Sequence, residues 1–393
     1  MSDLLYLAWR YLVYHRVTTA VLVCSITLIV YLPAGLNRLV SESANELTAR
    51  AEATPLLLGA KGSPLELVLS SLYFESDTPP SLRYAEVNRI QQSGLANAIP
   101  LYTRFQTSHS TIVGTSLDYF AFRGLKLDRG RQFDMLGECV LGARAARLAG
   151  VVPGDTVLSK PDDVFDIAGA YPLKMHVVGV LEPTGTPDDR AVFVDVNTAW
   201  VIEGLAHGHA EVNLPAERQS VVRQDGTIVS HPAVVQYNEI TPENVTSFHF
   251  HGDPDSFPVT AAIALPHDEK SSTLLQGRYL GDDEVVQMVR PATVMRHLVR
   301  NVMDVQRYVL LAGILLGIAT LATMALVFTL SIQLRRRELE TMIKIGGTRR
   351  RVISLIATEI LGVLVAGTVL AGGLVMVTSW LGSSATRLIL QWV

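Results

Sequence analysis

Long apolar runs alternate with polar stretches along this chain, and the apolar runs lie near its two ends. Residues 17–39, 308–333 and 353–382 each contain no more than one Asp, Glu, Lys or Arg. Each run exceeds the roughly 20 residues that an α-helix needs to cross about 30 Å of hydrocarbon. The pattern therefore predicts three membrane spans, with residues 40–307 as one large insert between the first and the second.

A short basic segment, residues 334–352, separates the second apolar run from the third. It carries seven Lys or Arg side chains against two Glu side chains. Short loops this basic stay on the cytoplasmic side of a membrane. We therefore expect this segment inside the cell, and the insert 40–307 and the tail 383–393 outside it.

Residues 1–16 have an amphipathic pattern that precedes the first span. Their apolar side chains form one broad helical stripe, which consists of Leu4, Leu5, Leu7, Ala8, Tyr11 and Leu12. Arg10, His15 and Arg16 are available to lipid headgroups and also place the N-terminus inside. The pattern favours a helix on the inner membrane surface, and the alternative is an N-terminal extension of the first span.

The insert has mixed helical and strand patterns, which predict an α+β domain. Residues 173–181 and 191–196 are rich in β-branched side chains and lie between turn residues, as is typical of strands. Residues 142–148 form a small-residue helix pattern, followed by a turn and a strand at 156–158. Polar, helix-prone stretches at 41–52 and 284–307 predict stalk helices beside the spans. The length of the insert indicates two lobes.

The overall net charge of −4 hides the basic cytoplasmic face, so the distribution of charge is more informative than its sum. There are two cysteines, Cys24 in the first span and Cys139 in the insert, and this placement makes a disulfide between them implausible.

The sequence lacks the phosphate-loop pattern G-x-x-x-x-G-K-[ST] and the hydrolase patterns G-x-S-x-G and H-E-x-x-H. We expect a chain that is not itself an enzyme and has no cofactor of its own, apart from a candidate zinc ion.

The candidate zinc site comes from the histidines of residues 204–267. Six of the ten histidines lie there, and they are His207, His209, His231, His249, His251 and His267. In an extended strand, residues i and i+2 point to the same side, so His207 with His209 and His249 with His251 could each present two imidazoles to one ion. Glu211 or Asp253 could add an oxygen ligand. The alternative is a polar exposed loop without a metal.

The order of elements, together with the basic segment, resembles the FtsX-like permeases of MacB/LolC-type ABC transporters. The family pattern between the last spans falls on Arg336, Arg337, Glu338, Met342, Ile343, Ile345, Gly346, Gly347, Ile353 and Glu359. The insert sequence GARAARLAGVVPGDTV, followed by LKMHVVGVL, is similar to the MacB-type periplasmic domain. Taken together, the resemblance implies membrane helices plus an α+β MacB-like periplasmic domain between spans 1 and 2.

The resemblance also implies a function and partners. It implies a multi-pass permease of the bacterial inner membrane that works as a homodimer with a separate ABC ATPase, and that exports or extracts a hydrophobic substrate or acts on a periplasmic partner. The coupling segment for the ATPase would contain Arg336, Arg337, Glu338, Met342, Ile345, Gly346, Gly347 and Arg350. Glu359 lies in the third span, where a carboxylate needs a partner, so we expect one from the Arg-rich segment. Membrane lipid is a further expected partner, and nucleic acid is not.

Two alternatives stay open from the sequence. One is a system that handles zinc-type metal ions through the histidine segment, and the other is a membrane-anchored scaffold without an ATPase. The family usually has a fourth span, and only three apolar runs occur here. The chain is therefore either a three-span variant or a truncated sequence.

Overall fold

The computed structural model describes residues 2–75, 79–160, 172–208, 223–224, 227–228, 238–344 and 348–392. The helices are α1 (Ser2–Tyr14), α2 (Arg16–Glu52), α3 (Pro64–Leu72), α4 (Tyr84–Gln92), α5 (Asp118–Arg123), α6 (Ala143–Ala149), α7 (Val196–Glu203), α8 (Glu269–Arg278), α9 (Pro291–Leu334), α10 (Arg336–Lys344) and α11 (Arg349–Trp392). The chain divides into two compact units, one of Met1–Leu47 with Arg296–Val393 and one of Thr48–Met295.

The strands all belong to the Thr48–Met295 unit. They are β1 (Leu56–Ala60), β2 (Leu82–Arg83), β3 (Ala96–Leu101), β4 (Ile112–Thr115), β5 (Leu127–Gly130), β6 (Glu138–Leu141), β7 (Thr156–Leu158), β8 (Lys174–Leu181), β9 (Val192–Asp195), β10 (Ala206–Gly208), β11 (Arg223–Gln224), β12 (Thr227–Ile228), β13 (Phe248–Phe250), β14 (Pro258–Val259), β15 (Ala261–Pro266) and β16 (Val286–Val289). Short 3₁₀ turns cover Pro187–Arg190, Val245–Ser247 and Pro254–Ser256.

Two larger sheets organise this unit. The first is antiparallel, with strand order β16-β1-β15-β3, and its register places Leu57 opposite Ile263. The second has the order β4-β9-β6-β8-β5, with β7 also paired to β8. Its β4–β9 and β6–β8 pairs are parallel and its other pairs antiparallel. The α+β prediction for the insert is confirmed, and β7 lies at the predicted residues.

The prediction of two lobes is wrong, because one continuous core joins the two sheets. Buried Leu58 and Ala262 of the first sheet belong to the same hydrophobic cluster as Cys139 and Val194 of the second. Backbone hydrogen bonds also link the end of β3 in the first sheet to β4 in the second. Tyr102 and Gly114 exchange two N–H···O bonds of 2.8 Å. Separate lobes would need two cores, and here the apolar faces of both sheets share one.

Helix α7 and the strand that follows it position a group of histidines described below. Asp195 accepts a hydrogen bond from the backbone N–H of Asn197 at 2.8 Å and caps the start of α7. Gly204 ends the helix with φ +87°, a left-handed conformation that glycine adopts without steric cost. The chain then enters β10, which pairs antiparallel with β13 in a small two-stranded sheet.

The Met1–Leu47 and Arg296–Val393 unit is helical in its described residues. Three helical stretches, Arg16–Arg38, Pro291–Leu334 and Arg349–Ser379, are long and apolar enough to cross a membrane, and the second begins just before this unit. A turn at His15 separates α1 from α2, and α1 packs against α11. Helix α2 continues through Pro33, and α11 continues to Trp392, so the predicted tail is helical in residues 383–392.

Glycines allow close approach between helices of this unit. A Cβ atom at position 367 would lie 2.6 Å from Cγ2 of Ile26, and one at position 317 would lie 3.2 Å from Cγ2 of Ile29. Thr27 Oγ1 also lies 3.2 Å from the Gly367 carbonyl oxygen. In membrane proteins small residues commonly permit such contacts between helices. These glycine contacts are within the chain.

Candidate functional site

The first candidate site is the short helix α10 and the turn before it. Helix α10 ends in the basic residue Lys344, and Arg336 forms an (i, i+4) ion pair with Glu340 at 3.1 Å. Exposed basic side chains lie on α10 and in the first turn of α11, and they are Arg336, Arg337, Lys344, Arg349, Arg350 and Arg351. Exposed ion pairs add little stability, so this surface is suited more to contact with a partner than to holding the fold.

Arg335, the residue between α9 and α10, contacts two other helices. Its Nη1 lies 3.3 Å from Oε2 of Glu359 on α11, and its guanidinium carbon lies 3.7 Å from the ring centroid of Tyr11 on α1. Glu359 is 3% exposed. A buried carboxylate is costly unless it is paired, and an aromatic face attracts a guanidinium. Arg335 therefore connects the start of α10 to both α1 and α11, and it is the partner predicted for Glu359.

The remaining coupling residues predicted from the sequence are placed as follows. Glu338 and Met342 belong to α10, and Arg350 lies in the first turn of α11. Ile345, Gly346 and Gly347 lie outside the described residues. Arg335 lies within the basic segment 334–352 that the sequence predicts to transmit force, and the structure adds its contacts with Glu359 and Tyr11.

A second buried polar site lies where α2 ends, inside the Thr48–Met295 unit. Arg50 donates from Nη1 to Oδ2 of Asp188 at 2.6 Å and from Nη2 to Oδ1 at 2.8 Å, so the pair is bidentate. Arg50 Nη2 also donates to the Tyr119 hydroxyl at 2.8 Å, that hydroxyl donates to Asp188 at 2.8 Å, and Arg50 Nε donates to the Leu72 carbonyl oxygen. Bidentate pairing of this kind fixes the orientation of both groups.

The electrostatics of this site follow from its burial. Burial alone would raise the pKa of Asp188, but hydrogen bonds and charge from Arg50, with a hydrogen bond from Tyr119, hold it below its ordinary value. Burial raises the pKa of Tyr119 to about 12, so its hydroxyl keeps its proton. The site is therefore a charged, fully hydrogen-bonded cluster at neutral pH. Sequence reasoning missed it because Arg50 and Asp188 are far apart in the chain.

The third candidate is a group of three histidines on the outer face of the β10–β13 sheet. His207 lies directly opposite His249 in the register, and His251 follows two residues later on the same side. One ligand nitrogen from each imidazole lies within 4.8 Å of the others. The structure thus joins His207 to His249 and His251, while His209 and Glu211 lie outside the described residues. The sequence had instead predicted each His-x-His pair as a unit.

Comparison with known proteins agrees with the domain described above. Residues 18–223 match the family model of the MacB-like periplasmic core domain, which is more than half of the chain. The chain belongs to the MacB-type permease family. The resemblance seen in the sequence is therefore confirmed. Members of this family are components of ABC transporters that work with an ABC ATPase and are generally not catalytic themselves.

Two solved structures are also similar to the MacB-type chain. One is the periplasmic region of MacB from Actinobacillus actinomycetemcomitans, 12% identical, with 65% of this chain and 97% of that chain covered and a TM-score of 0.35. The other is the extracellular domain of the noncanonic ABC-type transporter YknZ from Gram-positive bacteria, 14% identical, with 60% and 98% covered and a TM-score of 0.32. No curated protein matches the chain.

Proposed function

We propose that this chain is the transmembrane permease subunit of an ABC system in a bacterial inner membrane, and that α10 receives the force from a separate ATPase. Membership of the MacB-type family supports the ABC assignment. The observation that carries the role of α10 is its geometry, because its basic side chains are exposed while Arg335 ties its start to Glu359 and Tyr11. An element that transmits force needs both an accessible surface and a firm internal attachment.

The proposed topology places α10 and the N-terminus in the cytoplasm and the Thr48–Met295 unit in the periplasm. Three apolar helices and the excess of Lys and Arg around α10 support it. Exposed apolar side chains such as Leu315 on α9 and Val369 on α11 suit contact with lipid. In the assembled system two copies of the chain would pair with two ATPase subunits.

Force would pass from α10 to the periplasmic unit through packed helices. When the ATPases close, they would displace α10, and the Arg335 contacts would carry that displacement to α1 and α11. The helices α2 and α9 run from one unit into the other, so each would carry the displacement along its own chain. The Arg50–Asp188 pair would hold the end of α2 in the periplasmic unit. The resulting movement would extract or export a hydrophobic substrate, or act on a periplasmic partner.

Co-purification from the native membrane tests the proposal. The variant Arg337→Glu/Lys344→Glu reverses two exposed charges on α10, and Lys270→Glu reverses an exposed charge on α8 as a matched control. We expect wild type and control to retain an ABC ATPase. The ATPase activity bound to the α10 variant should be at least about tenfold lower. A tenfold loss corresponds to about 1.4 kcal/mol of binding free energy.

Two results would contradict the proposal. If no ATPase accompanies the wild-type chain, the ABC assignment of this subunit fails and an anchored scaffold explains the chain better. If the α10 variant retains as much ATPase as the control, α10 is not the contact. The amount of chain recovered in the membrane fraction shows whether each variant folds.

A further inference from the structure

We propose that His207, His249 and His251 bind a divalent transition-metal ion of the zinc, copper or nickel class. The site is independent of the ATPase contact proposed above, because it lies on the β10–β13 sheet of the Thr48–Met295 unit. No other group of three His, Cys, Asp or Glu side chains among the described residues is close enough to hold a metal ion.

The register of the two strands brings the three imidazoles together. His207 and His249 form a directly opposed cross-strand pair, and the backbone N–H of His251 donates to the Leu205 carbonyl oxygen at 2.9 Å, which extends the ladder by one residue. Side chains at such opposed and diagonal positions lie on one face of a sheet. All three rings therefore project from the same side.

The three rings are close enough to bind one metal ion after small side-chain rotations. The ring centroids are 5.2 Å apart for His207 and His249, 4.6 Å for His207 and His251, and 4.7 Å for His249 and His251. A tetrahedral zinc ion with Zn–N bonds of about 2.0–2.1 Å separates its ligand nitrogens by about 3.3 Å. Because His249 and His251 are exposed, rotation of their rings can close the present separation of up to 4.8 Å.

The backbone under the histidines is fixed by the opposite face of the sheet. Ala206 is buried, and the Phe250 ring packs against Trp200 and Phe257 at centroid distances of 6.4 and 6.0 Å. Gly208 leaves room for the Phe248 ring, because a Cβ at position 208 would lie 2.6 Å from that ring. Ligands carried on a rigid backbone lose little entropy when they bind an ion.

One ring is oriented by a backbone carbonyl. Nδ1 of His249 lies 3.1 Å from the carbonyl oxygen of Ser247. A carbonyl oxygen can only accept, so Nδ1 is the donor in this contact, and in a neutral ring Nε2 would then be the nitrogen that binds an ion. A backbone carbonyl that holds one ring N–H is a common second partner of histidine ligands, since it fixes the ring and raises its basicity.

The ligand set also indicates the class of ion and the openness of the site. Neutral imidazole suits zinc, copper and nickel more than magnesium or calcium, which prefer oxygen. Asp253, expected to add an oxygen, instead accepts a hydrogen bond from the backbone N–H of Asp255 at 3.1 Å and caps a 3₁₀ turn. Three histidines leave a fourth position for water or another ligand. Such an open site suits an ion that is exchanged with solvent or with a partner.

Metal analysis of the full-length protein tests the proposal. Chelator-treated chain in detergent is dialysed against zinc, and bound zinc is measured by elemental mass spectrometry. We expect one zinc per chain for wild type and for the control His267→Asn, which changes an exposed histidine outside the cluster. The variant His249→Asn/His251→Asn should lose at least about tenfold in affinity, because removal of two ligands exceeds the loss seen for outer-shell partners.

X-ray absorption of the zinc-loaded wild-type chain keeps the proposal falsifiable even if the double variant fails to fold. We expect three imidazole nitrogens at about 2.0–2.1 Å from the zinc. A shell of oxygen ligands, absence of bound zinc in the wild type, or unchanged affinity in a folded double variant would each overturn the proposal.

Discussion

Arg50 and Asp188 form a bidentate ion pair in which both side chains are almost fully buried, with an Nη1–Oδ2 distance of 2.6 Å. Desolvation of two charges can offset their attraction, so such a pair is not by itself a large net source of stability. Loss of one partner is different, because it leaves the other charge buried and uncompensated. The pair therefore makes the packing of the last turn of α2 within the Thr48–Met295 unit sensitive to single substitutions.

Arg50→Ala is expected to destabilise the protein by about 3–5 kcal/mol, because Asp188 would lose its buried counter-charge. Denaturant unfolding of the full-length chain in detergent, followed by intrinsic fluorescence, measures the change. The matched control is Lys174→Ala, which removes a half-exposed pair with Glu239 and should cost no more than about 1 kcal/mol. Equal effects of the two variants would show that burial of the Arg50 pair is energetically unimportant.

Acid should weaken the Arg50–Asp188 pair. The pKa of Asp188 is depressed in the folded chain, so its contribution is complete above its unfolded pKa of about 3.9 and is lost as pH falls through the lower folded value. We expect the melting temperature of wild type to fall below about pH 4 more steeply than that of Asp188→Asn, which cannot titrate there. Parallel pH profiles of the two proteins would contradict this assignment.

Arg335→Ala should destabilise the helical unit by about 3 kcal/mol, because it leaves the Glu359 carboxylate buried without a counter-charge. Combining Arg335→Ala with Glu359→Gln should recover part of this loss, since the amide carries no charge. Thermal melting in detergent is the measurement. The control Arg336→Ala removes an exposed pair with Glu340 and should change the melting temperature little. A single Arg335 variant as stable as this control would rule out a structural role for the Glu359 contact.

Gly367→Ala should disturb the contact between α2 and α11, because the new Cβ would lie 2.6 Å from Cγ2 of Ile26. Overpacking of this kind costs about 1–3 kcal/mol. Gly372→Ala is the matched control on the same helix, since a Cβ there has no atom within 4 Å. Melting temperatures of the two variants in detergent should differ, with the Gly367 variant lower. If both variants have the melting temperature of wild type, the contact between α2 and α11 is not tightly packed.

The sequence was most informative where a residue's role depends on its near neighbours. The long uncharged runs predicted the three apolar helices, Pro291 marks the start of α9, and alternating β-branched residues marked β8. These signals are local, because hydrophobic periodicity and a proline at the first helical position act within a few residues.

Features that depend on distant pairing were not predictable in the same way. The pattern of residues 284–307 predicts one stalk helix, and this is wrong for its start, because residues 286–289 form strand β16 beside β1 and the helix begins at Pro291. In the sequence, Arg50 is one of several charged residues in a polar helical stretch. Only the fold places Asp188 next to it. The sequence identified histidines of this segment as candidate metal ligands. The combination of His207 with His249 and His251, however, is set by the register of β10 and β13.

The most direct test of the proposed ATPase coupling is site-specific photo-cross-linking in the native membrane. A photoreactive amino acid replaces Thr341, an exposed residue of α10, and a second chain carries it at the exposed Leu315 of α9 as a control. We predict a cross-linked product from position 341 that contains an ABC ATPase, and none from position 315. A product from position 341 that lacks an ATPase, or no product there while the chain is fully inserted, would contradict the proposal that α10 couples this permease to ATP hydrolysis.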